Sequence, residues 1–277
     1  MESIPSVAQL QVNAGRSALV ADDGHLRHQD LLDASARAAS ALLAGGTDLA
    51  GARVCFLVPP SAAYVTTLFG IWRAGGIAVP LCVTHPAPEL EHVLDDAQAQ
   101  IVVVQPELEA TLAPLAQKRK LRCVRTTELE AGAAGGLPHV EASRAALLIY
   151  TSGTTGKPKG ALSTHAILQA QMRSIGEAWE LSSSDRILHV LPLHHLHGIL
   201  NALLSVLFAG GSCELLPRFD AARVWARLID SHELSLFMAV PTIYSKLAAA
   251  WDAADAAQQQ AMTAACQRLR LMVSGSA

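Results

Sequence analysis

"LIYTSGTTGKPKG", residues 148–160, sets hydroxyls, glycines and lysines in close order behind an apolar run. Gly153, Gly156 and Gly160 permit backbone angles and close approaches that side chains forbid, so the amides between them can point together at an anion. Thr151, Ser152, Thr154 and Thr155 add hydroxyl donors, and Lys157 and Lys159 add positive charge. Residues 145–150 read as a buried strand that holds the loop in place. The composition suits a polyphosphate. It is not the P-loop of kinases and GTPases, which needs four residues between its glycines and a Ser or Thr after the Lys. Here only Thr154 and Thr155 separate Gly153 from Gly156, and Pro158 follows Lys157. The plainer alternative is a polar surface loop. So many donors directly behind an apolar strand argue against it.

Outward from the loop, apolar runs alternate with amphipathic stretches. "RVCFLVP" (53–59), "GIAVPL" (76–81), "QIVVV" (100–104) and "LRCV" (121–124) read as short strands. Between them "SAAYVTTLFGIWRAGG" and "PELEHVLDDAQA" carry apolar residues at helical spacing, the first ending in a glycine pair that caps it. Such alternation predicts parallel strands joined by crossover helices. The Ala/Gly-rich stretch 129–143 has little to bury and marks a connection between two subdomains. The pattern resumes with the 145–150 strand, a helix near 165–179, a strand "RILHVLP", a helix near 198–209, and strands near 213–216 and 235–240. "RLRLMVSGSA" (268–277) reads as a further core strand and the turn leaving it, where a fold normally continues.

The 277 residues are 51% hydrophobic and 16% charged, enough for one large core or two smaller ones. Lys and Arg number 21 against 24 Asp and Glu, a net charge of -3 that supplies no electrostatic reason to expect nucleic acid or an anionic membrane as partner. Five dispersed cysteines without a CxxC pair suit reduced core thiols rather than a metal or disulfide framework. With no basic leader and no run of about 20 apolar residues, a cytoplasmic location is expected.

Two further motifs carry chemistry. "LPLHHLHG" (191–198) follows an apolar strand; its histidines can ligate zinc, sit in a plain loop, or line a pocket at a strand end, where open α/β sheets bind ligands. Zinc is the weakest reading, because no further ligand stands at suitable spacing. "FMAVPTIYSKL" (237–247) reads as a buried strand, a proline turn and a helix start. In the simplest version Thr242 caps that helix while Tyr244 and Lys246 snorkel.

The 148–160 stretch resembles the phosphate-binding signature of the adenylate-forming, or acyl-activating, enzyme superfamily. That superfamily includes acyl-CoA synthetases, peptide-synthetase adenylation domains and beetle luciferases. "HHLHGILNALLSVLFAGGSCELLPRFD", "AVPTIYSKL" and "RLMVSGSA" are similar to its malonyl-CoA synthetase branch. The resemblance implies an α/β fold, the large N-terminal domain of such an enzyme: two doubly wound, mostly parallel sheets with flanking helices, truncated before completion. Residues 1–142 would form a first α/β subdomain and 143–277 a second carrying the phosphate loop. The small C-terminal domain with its catalytic lysine, and the signatures for adenine, ribose and magnesium, have no counterpart before Ala277.

The implied activity is ATP-dependent activation of a small carboxylic acid, malonate or methylmalonate, through an acyl-adenylate to a CoA thioester, with ATP, Mg2+ and coenzyme A. The rival is a non-catalytic nucleotide-binding or interaction remnant of such an enzyme. Thr151, Ser152, Gly153, Thr154, Thr155, Gly156 and Lys157 are expected to grip the β and γ phosphates, with Lys159 assisting or facing solvent. Lys157 and His195 are the expected catalytic residues. His195 falls on the family's acyl-pocket position as a gate, His197 stands as pocket wall, and His194 packs or faces solvent. A dicarboxylic substrate needs a fixed cation for its second carboxylate. Lys246 is the candidate, and Arg268 and Arg270 are the fallbacks.

Overall fold

The alternation is realised as two six-stranded sheets. The structure, a computed structural model, describes residues 4–151 and 158–275. The chain begins with α1 (Pro5–Val12), β1 (Ser17–Ala21), β2 (Gly24–Arg27) and α2 (His28–Leu43). It continues through β3 (Arg53–Leu57), α3 (Ala62–Arg73), β4 (Ile77–Pro80), α4 (Ala87–Asp96), β5 (Ile101–Val104), α5 (Glu109–Lys118), β6 (Arg122–Arg125) and α6 (Thr126–Glu130). Then come β7 (Ala145–Thr151), β8 (Lys159–Thr164), α7 (His165–Ala178), β9 (Arg186–His189), and a π-helical segment His197–Leu204 continued by α8 (Ser205–Phe208). The last elements are β10 (Ser212–Leu215), α9 (Ala221–Asp230), β11 (Leu236–Ala239), α10 (Pro241–Asp252), α11 (Ala256–Arg268) and β12 (Leu271–Ser274).

One sheet has the order β6-β5-β3-β4-β7-β8 and the other β12-β11-β9-β10-β1-β2. Neighbours run parallel except β7 with β8 and β1 with β2, which are antiparallel hairpins closing one edge of each sheet. β4, β5 and β11 are buried at every position, as sheets covered on both faces require, which is why they read as unbroken apolar runs. The hairpin strands β2 and β8 are largely exposed, so their composition carries no such signal. β12 is also an edge strand: Leu271 and Val273 are half-buried and Met272 is exposed, where the sequence suggested a core strand.

Each sheet takes its hairpin from the other half of the chain. β1 pairs with β10 (Leu19 opposite Cys213), and β7 pairs with β4 (Leu147 opposite Ala78). The boundary expected at residues 142 and 143 therefore separates stretches of sequence, not sheets. The connection before β7 is pinned: Leu129 and Val140 are buried, and the Gly135 amide donates to Ser40 Oγ on α2 (2.8 Å).

α3 is buried along its whole length, so it is apolar all round. Ser61 caps it by accepting from the Tyr64 amide (3.1 Å). At its end the Gly76 and Gly75 amides return to the carbonyls of Ile71 and Trp72, with Gly75 at φ +79°, the left-handed cap anticipated from the glycine pair. Trp72 Nε1 donates to the Ala146 carbonyl (2.7 Å), which ties α3 to the strand that leads into the phosphate loop.

Candidate functional site

Parallel strands end together, and here both sheets bring their carboxyl ends to one place. The segments that follow β3, β4, β9, β10 and β11 line a cavity of about 410 Å³. Val58, Leu81, Val190, Leu191, Leu193, Phe219, Val240 and Ile243 make its wall largely apolar. Thr84 and Thr242 add hydroxyls, and three ionisable side chains break that character further: His194, Arg218 and Lys246. Arg218 and Lys246 are both exposed and, among the described residues, neither forms an ion pair. Lys246 Nζ lies 5.9 Å from the centroid of the Phe219 ring, a cation–π distance that keeps the ammonium over the cavity. Arg218 was not singled out from the sequence. Its signal is its place three residues beyond a strand end, in "LLPRFD".

α10 begins with Pro241 at its first position and no side-chain cap. Thr242 is thereby left to line the cavity, not to cap. Tyr244 does not snorkel either, because its hydroxyl donates inward to the carbonyls of Val273 (3.0 Å) and Phe237 (3.2 Å).

The histidines divide differently from the sequence reading. His194 is the one that lines the cavity; its ring centroid is 4.1 Å from that of His195 and 5.9 Å from that of His85. Burial, then the neighbouring His195 and His85, pushes His194 down to about 4. His195 is exposed beside it, lowered by burial and by His85. His197 is buried in the first turn of the π-helical segment, outside the cavity lining, and its Nδ1 has no hydrogen-bond partner. Buried His189, at about 4 mainly through burial, shares a 2.9 Å hydrogen bond between Nε2 and the Gly198 carbonyl and so anchors that segment.

β7 runs parallel to β4, so the phosphate loop leaves the sheet at the same end as the cavity. Ser152, Gly153, Thr154, Thr155, Gly156 and Lys157 lie outside the described residues. The flanking Thr151 and Lys159 are exposed and face each other as the last pair of the β7–β8 ladder.

A larger groove of about 550 Å³, lined by Arg16, Asp185, Arg186 and Glu233 among others, sits at the opposite, amino ends of the second sheet. Its charges are engaged: Arg270 pairs with Asp185 (2.9 Å) and Arg186 with Glu214 (3.3 Å). Arg270 also donates to the Trp179 carbonyl, and Arg268 to the carbonyls of Leu228 and Ile229. The two fallback cations therefore brace the fold at the end away from the cavity. Among the described residues no cluster of His, Cys, Asp or Glu is arranged to hold a metal ion. Nor is any described helix long and apolar enough to cross a membrane.

Comparison with known proteins agrees with this arrangement. The chain is 40% identical to a mitochondrial malonate–CoA ligase of Mus musculus, over 99% of this chain and 50% of the relative. It is 37% identical to a malonate–CoA ligase of Arabidopsis thaliana over 84% of the chain and 42% of that relative. Among solved structures, ATP-bound MatB from Rhodopseudomonas palustris superposes with a TM-score of 0.85 at 27% identity, over 99% of this chain and 55% of that one. A malonyl-CoA ligase in a ternary product complex with methylmalonyl-CoA and AMP superposes with a TM-score of 0.83 at 29% identity, with the same coverage. The chain spans about half the length of the curated relatives it matches. The family described as AMP-binding enzyme matches residues 7–277, and the chain belongs to that family of adenylate-forming enzymes.

Proposed function

We propose that this chain carries the ATP- and acid-binding part of an acid–thiol ligase that activates a small dicarboxylic acid, malonate or methylmalonate, and transfers it to coenzyme A. The observation that carries the reading is the cavity at the joined strand ends, apolar in its walls and provided with two unpaired cations, Arg218 and Lys246. A fatty-acid site has no use for such charges, whereas a second carboxylate does.

In the first half-reaction one carboxylate oxygen of the acid attacks the α-phosphorus of ATP, an acyl–phosphate bond forms, and pyrophosphate leaves. In the second the CoA thiol attacks the acyl carbon, loses its proton, and expels AMP. Bringing an anion to a triphosphate demands neutralised charge and fixed geometry. Thr151, the loop residues Ser152 to Lys157 and Lys159 are assigned to the β and γ phosphates, Lys157 with a catalytic role. His195 stays the proposed gate, with the His194 ring tilted against it as the imidazole that meets the acid. His197 acts from behind, as support for the segment. The His194 imidazole is neutral at pH 7, with His195 beside it lowered in the same direction, so His194 accepts or donates a hydrogen bond without repelling the two cations. Magnesium enters with the nucleotide as counter-ion of its phosphates, and we assign no residue to it.

The mouse and human relatives are mitochondrial by name. For this chain we propose a reducing compartment, the cytoplasm as first expected, on its five free cysteines. The test is acid-dependent ATP–pyrophosphate exchange in the full-length protein that contains this chain. Malonate should support exchange far better than butyrate, and equal specificity constants would remove the dicarboxylic reading.

A further inference from the structure

Tyr150 is the last apolar residue before the exposed Thr151 that opens the phosphate loop, and it is held from three directions. Its hydroxyl donates to Asp96 Oδ2 (2.7 Å) at the end of α4. The edge of its ring meets His92 on the same helix, with centroids 6.4 Å apart and planes at 79°. On the hairpin side it lies over Gly160, its partner in the β7–β8 ladder: a Cβ on Gly160 would stand 3.2 Å from Tyr150 Cζ and 2.9 Å from Leu148 Cδ1. His92 reaches the other stem as well, because its Nε2 is 3.2 Å from the Pro158 carbonyl. One helix therefore grips the residues on both sides of the loop. That grip replaces a missing support, since β8 is an edge strand paired on one side only.

We infer that α4 is the loop's clamp: Tyr150, Asp96 and His92 are positioning residues that set the phosphate loop for ATP, with Gly160 as the one residue whose size lets the Tyr150 ring lie across the hairpin. The inference rests on the proposed ATP site and adds to it a part of the chain remote in sequence. Burial and the adjacent carboxylate raise the Tyr150 phenol, so it stays protonated and donates throughout the working pH range. The clamp is distinct from the acid cavity. Among the described residues Tyr150 and His194 share the lining of no more than a small void of about 20 Å³, so loosening the clamp should be felt by the nucleotide and not by the acid.

The experiment uses the full-length protein that contains this chain, with ATP affinity measured by calorimetry and KM values for ATP and malonate by pyrophosphate exchange. Tyr150→Phe and Asp96→Ala should each weaken ATP binding by up to roughly 10- to 150-fold, the range of one hydrogen bond to a charged group. The malonate KM should change less than about two-fold. Asp96→Asn, which keeps an acceptor, should recover most of the loss. The Tyr150→Phe/Asp96→Ala pair should be no weaker than the worse single variant, because both remove one contact. Gly160→Ala should give the same nucleotide defect from the opposite side. Unchanged ATP binding in Tyr150→Phe and Asp96→Ala, or an equal rise in the KM of both substrates, would overturn the clamp. Should the wild type show no malonate-dependent exchange, the assignment of the acid falls. The clamp is then judged by ATP calorimetry, and by amide hydrogen exchange at Thr151 and Lys159, which must accelerate in Asp96→Ala and not in Asp96→Asn for the clamp to stand.

Discussion

Replacing Lys246 and Arg218 with methionine, singly and together, removes the cavity's charge while keeping most of its bulk. Each cation is exposed at the rim, so its contact with a bound carboxylate is partly screened. As an exposed ion pair it contributes about 1 kcal/mol; if substrate and wall exclude water, a charge-assisted hydrogen bond reaches about 3 kcal/mol. At about 1.4 kcal/mol per tenfold, each single variant should lose roughly 5- to 150-fold in the malonate-over-butyrate ratio of kcat/KM. Lys246 is held over Phe219 and is the better placed of the two, so its loss should be the larger. The butyrate value itself should stay within a few-fold, because an apolar acid uses only the wall. Pyrophosphate exchange with each acid, at low and at high salt, measures both numbers. The malonate preference should shrink as salt rises through the range where the Debye length falls from about 10 Å to 3 Å. A double variant that discriminates as well as the wild type would refute the two cations as carboxylate anchors, and with them the reading of this cavity.

Arg270→Ala serves as the contrasting case. It strips the ion pair from Asp185, which is 3% exposed and also accepts from Ser235 Oγ, so stability should fall by about 3 kcal/mol or more with acid preference unchanged; a shift in preference would return Arg270 to the site. Gly75→Ala places a Cβ at 2.1 Å from Asp48 Oδ1 on a backbone at φ +79°, and should lower the urea midpoint by the equivalent of about 2 kcal/mol; a midpoint near wild type would mean that the cap is not needed. His165 and His189 are held at about 4 in the fold, mainly by burial, against about 6.5 unfolded, so the unfolded chain takes up protons first as pH falls. Their contribution is complete above pH 6.5 and declines towards pH 4; denaturant midpoints should therefore drop between pH 7 and pH 5, and a flat profile there would contradict neutral buried imidazoles.

The parallel core was legible because strands buried on both faces have to be apolar throughout: Ile101–Val104 and Leu236–Ala239 announce themselves. Elements that need not be apolar escaped. β8 reads "KGALST" and lies mostly exposed at an edge, so it merged with the loop before it. β1 and β2 found their sheet through a partner almost a whole chain away, which no local pattern encodes. Within the site, Lys246 was reachable because it follows a strand–proline–helix pattern. Arg218 and His194 were not, since which of several adjacent polar residues faces a cavity depends on how the loop turns. His195 and His197 stand one residue to either side of Leu196, yet one is exposed and the other buried. The loop stood out in the sequence by its composition, while the contacts that α4 makes with its two stems were invisible, because Asp96 and Tyr150 are brought together only by the sheet order.

The exchange of hairpins between the two halves has a consequence for biosynthesis. β1 leaves the ribosome well before its parallel neighbour β10, with Leu19 waiting for Cys213. At about 5–20 residues per second that wait is on the order of 10 to 40 seconds, far longer than the microseconds a hairpin needs to form. The nascent chain must therefore carry the apolar face of Ala18 and Leu19 without its sheet while the β3-β4-β5 layer is already able to assemble. The β1–β2 segment, made before the β3-β4-β5 layer, is placed to dock after it. A chaperone that acts during translation would find its binding site there.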